Sequence, residues 1–164
     1  MRIADYTQDS IVDGSGLRFV LFTQGCPHRC PGCHNPDTQS QDGGRETSVD
    51  SIIAEMLGNP LADGVTLSGG EPFAQAAPCS EIARAAHDAG LDVWCYTGYT
   101  FEELLASESP EVARLMREID VLVDGRFVLA ERSLTLKWRG SANQRLLDMK
   151  KSLEYGTAVL YTVN

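Results

Sequence analysis

Cys26, Cys30 and Cys33 lie on one short stretch with C-x3-C-x2-C spacing, directly after a β-rich run at 17–23. The β-rich run feeds directly into that loop, so any fold of this chain places the three thiols just beyond a strand end. Three thiolates from one loop can bind three irons of a cubic four-iron cluster and leave the fourth iron open. An open metal position is where metal-assisted chemistry takes place. Two other readings stay open at this point. Zinc could take the three cysteines with His28 or His34, although closed zinc sites usually draw ligands from two separated pairs. Cys30-Pro31-Gly32-Cys33 is also a C-x2-C pair of the thiol–disulfide kind, which leaves Cys26 without a role.

Bulk properties narrow the setting. The 164 residues, 43% of them hydrophobic, suit one globular domain spanning 1–164. Net charge is -9 and no block of lysine or arginine stands out, so nucleic acid is not an expected partner. No stretch approaches the ~18 uninterrupted apolar residues of a membrane helix. The early acid Asp5, with no apolar run behind it, argues against a secretory leader, and a cytoplasmic location is expected. An odd cysteine count in a reducing compartment argues against a disulfide framework. Cys79 and Cys95 stand alone in apolar surroundings and read as small buried hydrophobes.

Strand-like and helix-like stretches alternate. Strands are predicted at 17–23, 64–68, 91–96 and 121–124, with weaker patterns at 134–138, 144–147 and 157–163. A helix is predicted from Thr47 or Ser48, with Val49, Ile52, Ile53, Met56 and Leu57 on one face. Others are predicted over 78–89, after the capping box Thr100-Phe101-Glu102-Glu103, and after Ser109-Pro110-Glu111. The polar loop 35–47 is long enough to be functional or mobile.

This alternation predicts an α/β fold built as a partial, open parallel β/α barrel. A closed eight-unit barrel takes about 250 residues, which leaves room here for about five or six units. The cysteine loop, Gly69-Gly70-Glu71, Thr97-Gly98 and Asp124-Gly125-Arg126 all follow predicted strands. That is the face where such barrels assemble their sites. Taken singly, each is weaker evidence: a Gly-Gly is often a plain turn, and Glu71, Thr97 and Arg126 could be turn or surface residues.

Together the cysteine loop and Ser68-Gly69-Gly70-Glu71-Pro72 resemble the radical S-adenosylmethionine (SAM) enzymes. A narrower likeness runs from about residue 12 to about residue 148. Val12-Asp13-Gly14-Ser15-Gly16-Leu17-Arg18, Gln24-Gly25-Cys26 through Cys33-His34-Asn35-Pro36, and Tyr96-Thr97-Gly98-Tyr99-Thr100 come first. Val123-Asp124-Gly125-Arg126-Phe127 and Trp138-Arg139-Gly140-Ser141-Ala142-Asn143-Gln144-Arg145 follow. In this order they resemble the activating enzymes of anaerobic ribonucleoside-triphosphate reductase. Ser15 stands where a proline is commoner. Gly32 stands where many radical SAM proteins carry an aromatic, a departure that the narrower group shares.

The resemblance implies a 4Fe-4S cluster on Cys26, Cys30 and Cys33, with SAM as second cofactor. Gly69 and Gly70 would hold the SAM ammonium through their backbone, with Glu71 orienting the segment. Asp124 and Arg126 would face the barrel mouth, Arg126 on the SAM carboxylate. Thr97 would bond a ribose, His34 would pack near the adenine, and His28 or His34 would support the cluster. The implied reaction is reductive SAM cleavage to a 5′-deoxyadenosyl radical that makes a glycyl radical on the reductase. A reduced flavodoxin or ferredoxin is the implied electron donor. Trp138 to Gln144 would join the partner surface or serve as core and turn. The rivals are an activase of another glycyl-radical enzyme, a radical SAM enzyme for a small molecule, and a zinc-stabilised binding module.

Overall fold

The structure is a computed structural model that describes residues 1–163. Its centre is a seven-stranded sheet in the order β3-β1-β2-β4-β5-β6-β7. The strands are β1 (Arg2–Ser10), β2 (Arg18–Thr23), β3 (Arg45–Glu46), β4 (Gly64–Gly69), β5 (Asp92–Tyr96), β6 (Val121–Asp124) and β7 (Arg145–Asp148). β2, β4, β5 and β6 run parallel to one another. β1 lies antiparallel on β2, and β7 antiparallel on β6. The fold is therefore mixed α/β and the sheet is open.

Each parallel connection carries helix. α1 (Val49–Leu57) links β2 to β4, and α2 (Ala76–Asp88) links β4 to β5. α3 (Phe101–Leu105) and α4 (Pro110–Arg117) link β5 to β6, and α5 (Met149–Tyr155) follows β7. The helix starts follow from side-chain caps. Ser48 accepts from the Ser51 N–H, Ser109 from Val112, and Thr100 forms a complete capping box with Glu103.

Alternation along the strands divides the core. Phe19, Leu21, Val65, Leu67, Val93 and Cys95 pack against Ile52, Met56, Ile82 and Leu115 of the helices. Cys79 and Cys95 are fully buried in that layer. The other face of the sheet carries Trp94, Val121 and Val123, roofed by Trp138 and Tyr161 rather than by a helix. Both roofing rings meet Trp94 edge-on, at 5.1 and 5.6 Å between centroids.

The unit count from length is corrected. The parallel set has four strands, because residues 2–10 and 145–148 pair antiparallel at its flanks. Residues 134–138 form no strand, and in 157–163 only Leu160 bridges, to Leu147. The loop 35–47 holds a 3-10 turn, Pro36–Thr38, and the short β3. Among the described residues no helix is long and apolar enough to cross a membrane.

Candidate active site

The cysteine loop hangs from the end of β2 and is fixed from behind by the segment after it. Gly25 N–H donates to Thr38 O at 2.7 Å, and Cys26 N–H to Gln39 O at 3.1 Å. The Gln24 amide donates to Asp37 O (2.9 Å) and Ser40 O (2.7 Å). The long polar loop is thus the buttress of the thiols. All five cysteines are free, and Cys26, Cys30 and Cys33 are half-buried. Burial pushes the Cys26 thiol above the ordinary value, against the pull of the His28 and Arg29 backbone N–H groups. Cys33 Sγ accepts from the Asn35 N–H at 3.4 Å.

The turn after β4 lies against this loop. Gly70 N–H donates to Thr23 O (2.8 Å) and Glu71 N–H to Gly25 O (2.9 Å). A side chain at residue 70 would collide with the Gly25 carbonyl, so the approach requires glycine.

Glu71 is fully buried, and its carboxylate gathers the site. Oε1 accepts from the Phe73 N–H at 3.0 Å, and Oε2 from the Gly98 N–H at 2.9 Å. The Thr97 hydroxyl donates to the same carboxylate at 2.9 and 3.0 Å. His28 Nε2 completes the set at 2.7 Å. The Arg126 Nε–H donates to His28 Nδ1 at 3.3 Å, so the Nε2 nitrogen carries the imidazole proton and donates it to Glu71. His28 packs edge-on to Tyr99, and its ring occupies the space that a side chain at Gly98 would fill. One carboxylate therefore ties the loop after β2 to the ends of β4 and β5.

These elements enclose a cavity of about 450 Å³, within the ordinary range for a small-molecule site. Cys26, Cys30, Cys33, His28, His34, Gly69, Gly70, Thr97 and Gly98 line it. His34 stands beside Phe127, with 5.0 Å between ring centroids. The polar groups of three predicted residues are spent on the protein itself. Thr97 borders the cavity, but its hydroxyl proton goes to Glu71 and its oxygen accepts from the Tyr99 N–H. Asp124 is 1% exposed and turned to the Phe101 N–H and Arg145. That pairing drives the Arg145 guanidinium further up. Arg126 is exposed, and Gly125, in a left-handed turn, takes the place on the wall.

Asp13, Phe22 and Tyr96, which carry no motif signal for the site, line the wall, as does the Trp138–Gln144 block apart from Ser141, Ala142 and Asn143. Strand alternation puts Phe22 and Tyr96 on the face that carries Trp94, which no helix covers. Gln144 Oε1 accepts from the Gly140 and Ser141 N–H groups at 2.9 and 3.2 Å, and its amide donates to Gly125 O. The Trp138–Gln144 block is a knotted turn that forms one side of the cavity.

Among the described residues no three His, Cys, Asp or Glu side chains are arranged to hold a single metal ion. Three free thiols around one shared hollow instead fit a larger group, and soft thiolates suit iron–sulfur ligation.

A family model described as a 4Fe-4S single cluster domain matches residues 12–147. Among curated proteins, one from Salmonella typhi is 38% identical over 152 residues, covering 88% of this chain and 96% of the relative. One from Escherichia coli K12 is 37% identical with the same coverage. One from Enterobacteria phage T4 is 35% identical over 144 residues, covering 82% of this chain and 86% of the relative. Each of the three carries the name anaerobic ribonucleoside-triphosphate reductase-activating protein.

Proposed function

Because the chain belongs to the family of anaerobic ribonucleoside-triphosphate reductase-activating proteins with a 4Fe-4S domain, we propose that it generates a glycyl radical on such a reductase by reductive cleavage of SAM. The observation that carries this reading is the convergence of three free thiols and the Gly69-Gly70 turn on one cavity, braced by buried Glu71. Cys26, Cys30 and Cys33 would hold the cluster. Held there and reduced, such a cluster would supply one-electron reduction of SAM, the chemistry by which the carbon–sulfur bond would break to methionine and a 5′-deoxyadenosyl radical able to take a hydrogen atom from a glycine Cα.

The chain's own residues prepare that event by position. The N–H groups of Gly70 and Glu71 are committed to Thr23 and Gly25. What the turn can offer a ligand is carbonyl oxygen, the acceptor an ammonium needs. Glu71 works behind the wall, holding the turn and the cysteine loop in one register through His28, Thr97 and Gly98. Tyr96, Phe22 and Trp138 give the cavity an apolar side that excludes water from a reactive intermediate. Cys26 also borders a second hollow on the outer side of the loop, with Arg29 and Gln39. A reduced flavodoxin or ferredoxin docked there would meet Cys26, one of the three thiols. Such partners would place the protein in the cytoplasm.

The test is anaerobic reconstitution with iron and sulfide, then dithionite and SAM, with 5′-deoxyadenosine quantified. Product that requires Cys30, together with a glycyl radical signal by electron paramagnetic resonance when reductase is added, is the expected result. A colourless protein that retains zinc and forms no nucleoside overturns the reading.

A further inference from the structure

Arg139 is the sole lysine or arginine on the cavity wall among the described residues. It is half-buried, and among the described residues no carboxylate pairs with it. Its NH1 group donates to the Gln144 carbonyl at 2.8 Å. The Gln144 side chain in turn clamps the Gly140–Ser141 backbone and Gly125. One corner of the guanidinium, NH1, is thus fixed, while its Nε and NH2 edge has no protein acceptor among the described residues. That edge is the planar two-donor fork that matches a carboxylate. A cation drawn partly out of water, held by one neutral carbonyl, calls for an anion from outside the chain. Arg126, which the sequence pattern favours, is exposed and spends its Nε–H on His28.

We infer that Arg139 is the residue that receives the carboxylate of SAM in this cavity. The inference rests on the proposed function and names the specificity element of that site. The amino-acid end of SAM carries an ammonium and a carboxylate. The Gly69-Gly70 turn offers acceptors to the first, and the Arg139 fork offers donors to the second. A ligand without the carboxylate would leave the guanidinium unpaired and bind less well.

The experiment compares SAM with decarboxylated SAM by anaerobic titration calorimetry on the cluster-loaded protein, for wild type, Arg139→Ala, Arg139→Lys and Arg126→Ala. Iron content and circular dichroism verify that each variant is loaded and folded. Arg139→Ala is expected to weaken SAM about 10- to 100-fold, the scale of a charge-assisted hydrogen-bonded pair. Decarboxylated SAM should bind wild type and Arg139→Ala alike, so the preference for the carboxylate falls by that factor. Arg139→Lys should recover part of it, as a point charge without the fork. Equal loss for both ligands overturns the inference, since that is the mark of a merely structural residue. So does a loss of preference in Arg126→Ala with Arg139→Ala unaffected. Failure of the loaded wild type to bind SAM at all overturns the proposed function itself.

Discussion

Replacing Glu71 by Gln should unfasten the site while barely changing side-chain volume. The buried carboxylate accepts from Phe73 and Thr97 on its Oε1 side, and from Gly98 and His28 on its Oε2 side. An amide has one acceptor oxygen. Its NH2 group must therefore face either the Phe73 N–H or the paired Gly98 and His28 donors. The first orientation loses one hydrogen bond to a charged group and places donor against donor; the second loses two. At about 1.5–3 kcal/mol per such bond, the cost is at least roughly 2–3 kcal/mol and reaches about 6. For a chain of this size each kcal/mol moves Tm by about 2–4 °C, so a fall of roughly 4–12 °C is the lower expectation. The assay is anaerobic thermal and urea unfolding of the apo protein, with iron uptake measured on reconstitution. Thr97→Val, which removes one donor to the carboxylate and the acceptor of the Tyr99 N–H, should cost about 1.5–3 kcal/mol. A Glu71→Gln shift under about 2 °C would refute the reasoning, because exposed substitutions stay within about 0.5 kcal/mol.

Gly98→Ala should lower both stability and iron loading, since the new methyl occupies the His28 ring position; a variant that loads iron like wild type counts against the packing argument. Arg18, fully buried, donates to Val65 O and Thr66 Oγ1 and pairs with half-exposed Asp92. Burial lowers the Arg18 pKa and raises that of Asp92 despite the pairing, so the contact does not fully offset desolvation. Arg18→Met should cost about 3 kcal/mol, and adding Asp92→Asn should recover part of it in a double-mutant cycle; strict additivity would contradict the coupling. Burial pulls the His87 pKa down, but hydrogen bonds to Asp120 and Glu118 outweigh it and leave the value above 6.5. The imidazolium then contributes stability that is complete below about pH 6.5 and is lost as pH rises through the folded value. Exposure keeps the effect small, and His87→Gln should flatten it in urea titrations from pH 5 to 8.

The parts of this fold that were legible in the sequence are those whose cause is local. Val121–Asp124 was read to the residue, because an apolar run ended by Asp-Gly leaves little choice. Thr100 and Ser109 announced their helices, because a cap is a contact three residues long. β1 was missed for the opposite reason. Arg2–Ser10 is mostly polar and only half-buried, and it is a strand because β2 pairs along it. α5 was also missed, although Asp148 caps it through the Lys151 N–H. Among the site residues, the thiols and the Gly-Gly turn were legible as motifs, since each lies on one continuous stretch.

What joins those motifs could not be read locally, because His28 and Glu71 are 43 positions apart and Thr97 a further 26. Parallel strands supply the reason they meet. β2, β4 and β5 end side by side, so the residue after each end is forced into the same small volume. A polar residue there can face the cavity or brace a neighbour. Glu71, Thr97 and Asp124 brace, and this frees glycines 69, 70, 98 and 125 to form the wall. The same competition separates Arg126 from Arg139. Arg126, after Gly125, is exposed, whereas Arg139 is drawn in by the Gln144 clamp on a turn with no strand signal. A side chain placed next to a strand end is therefore a weaker guide to ligand contact than one whose backbone is held and whose donors are left unpaired.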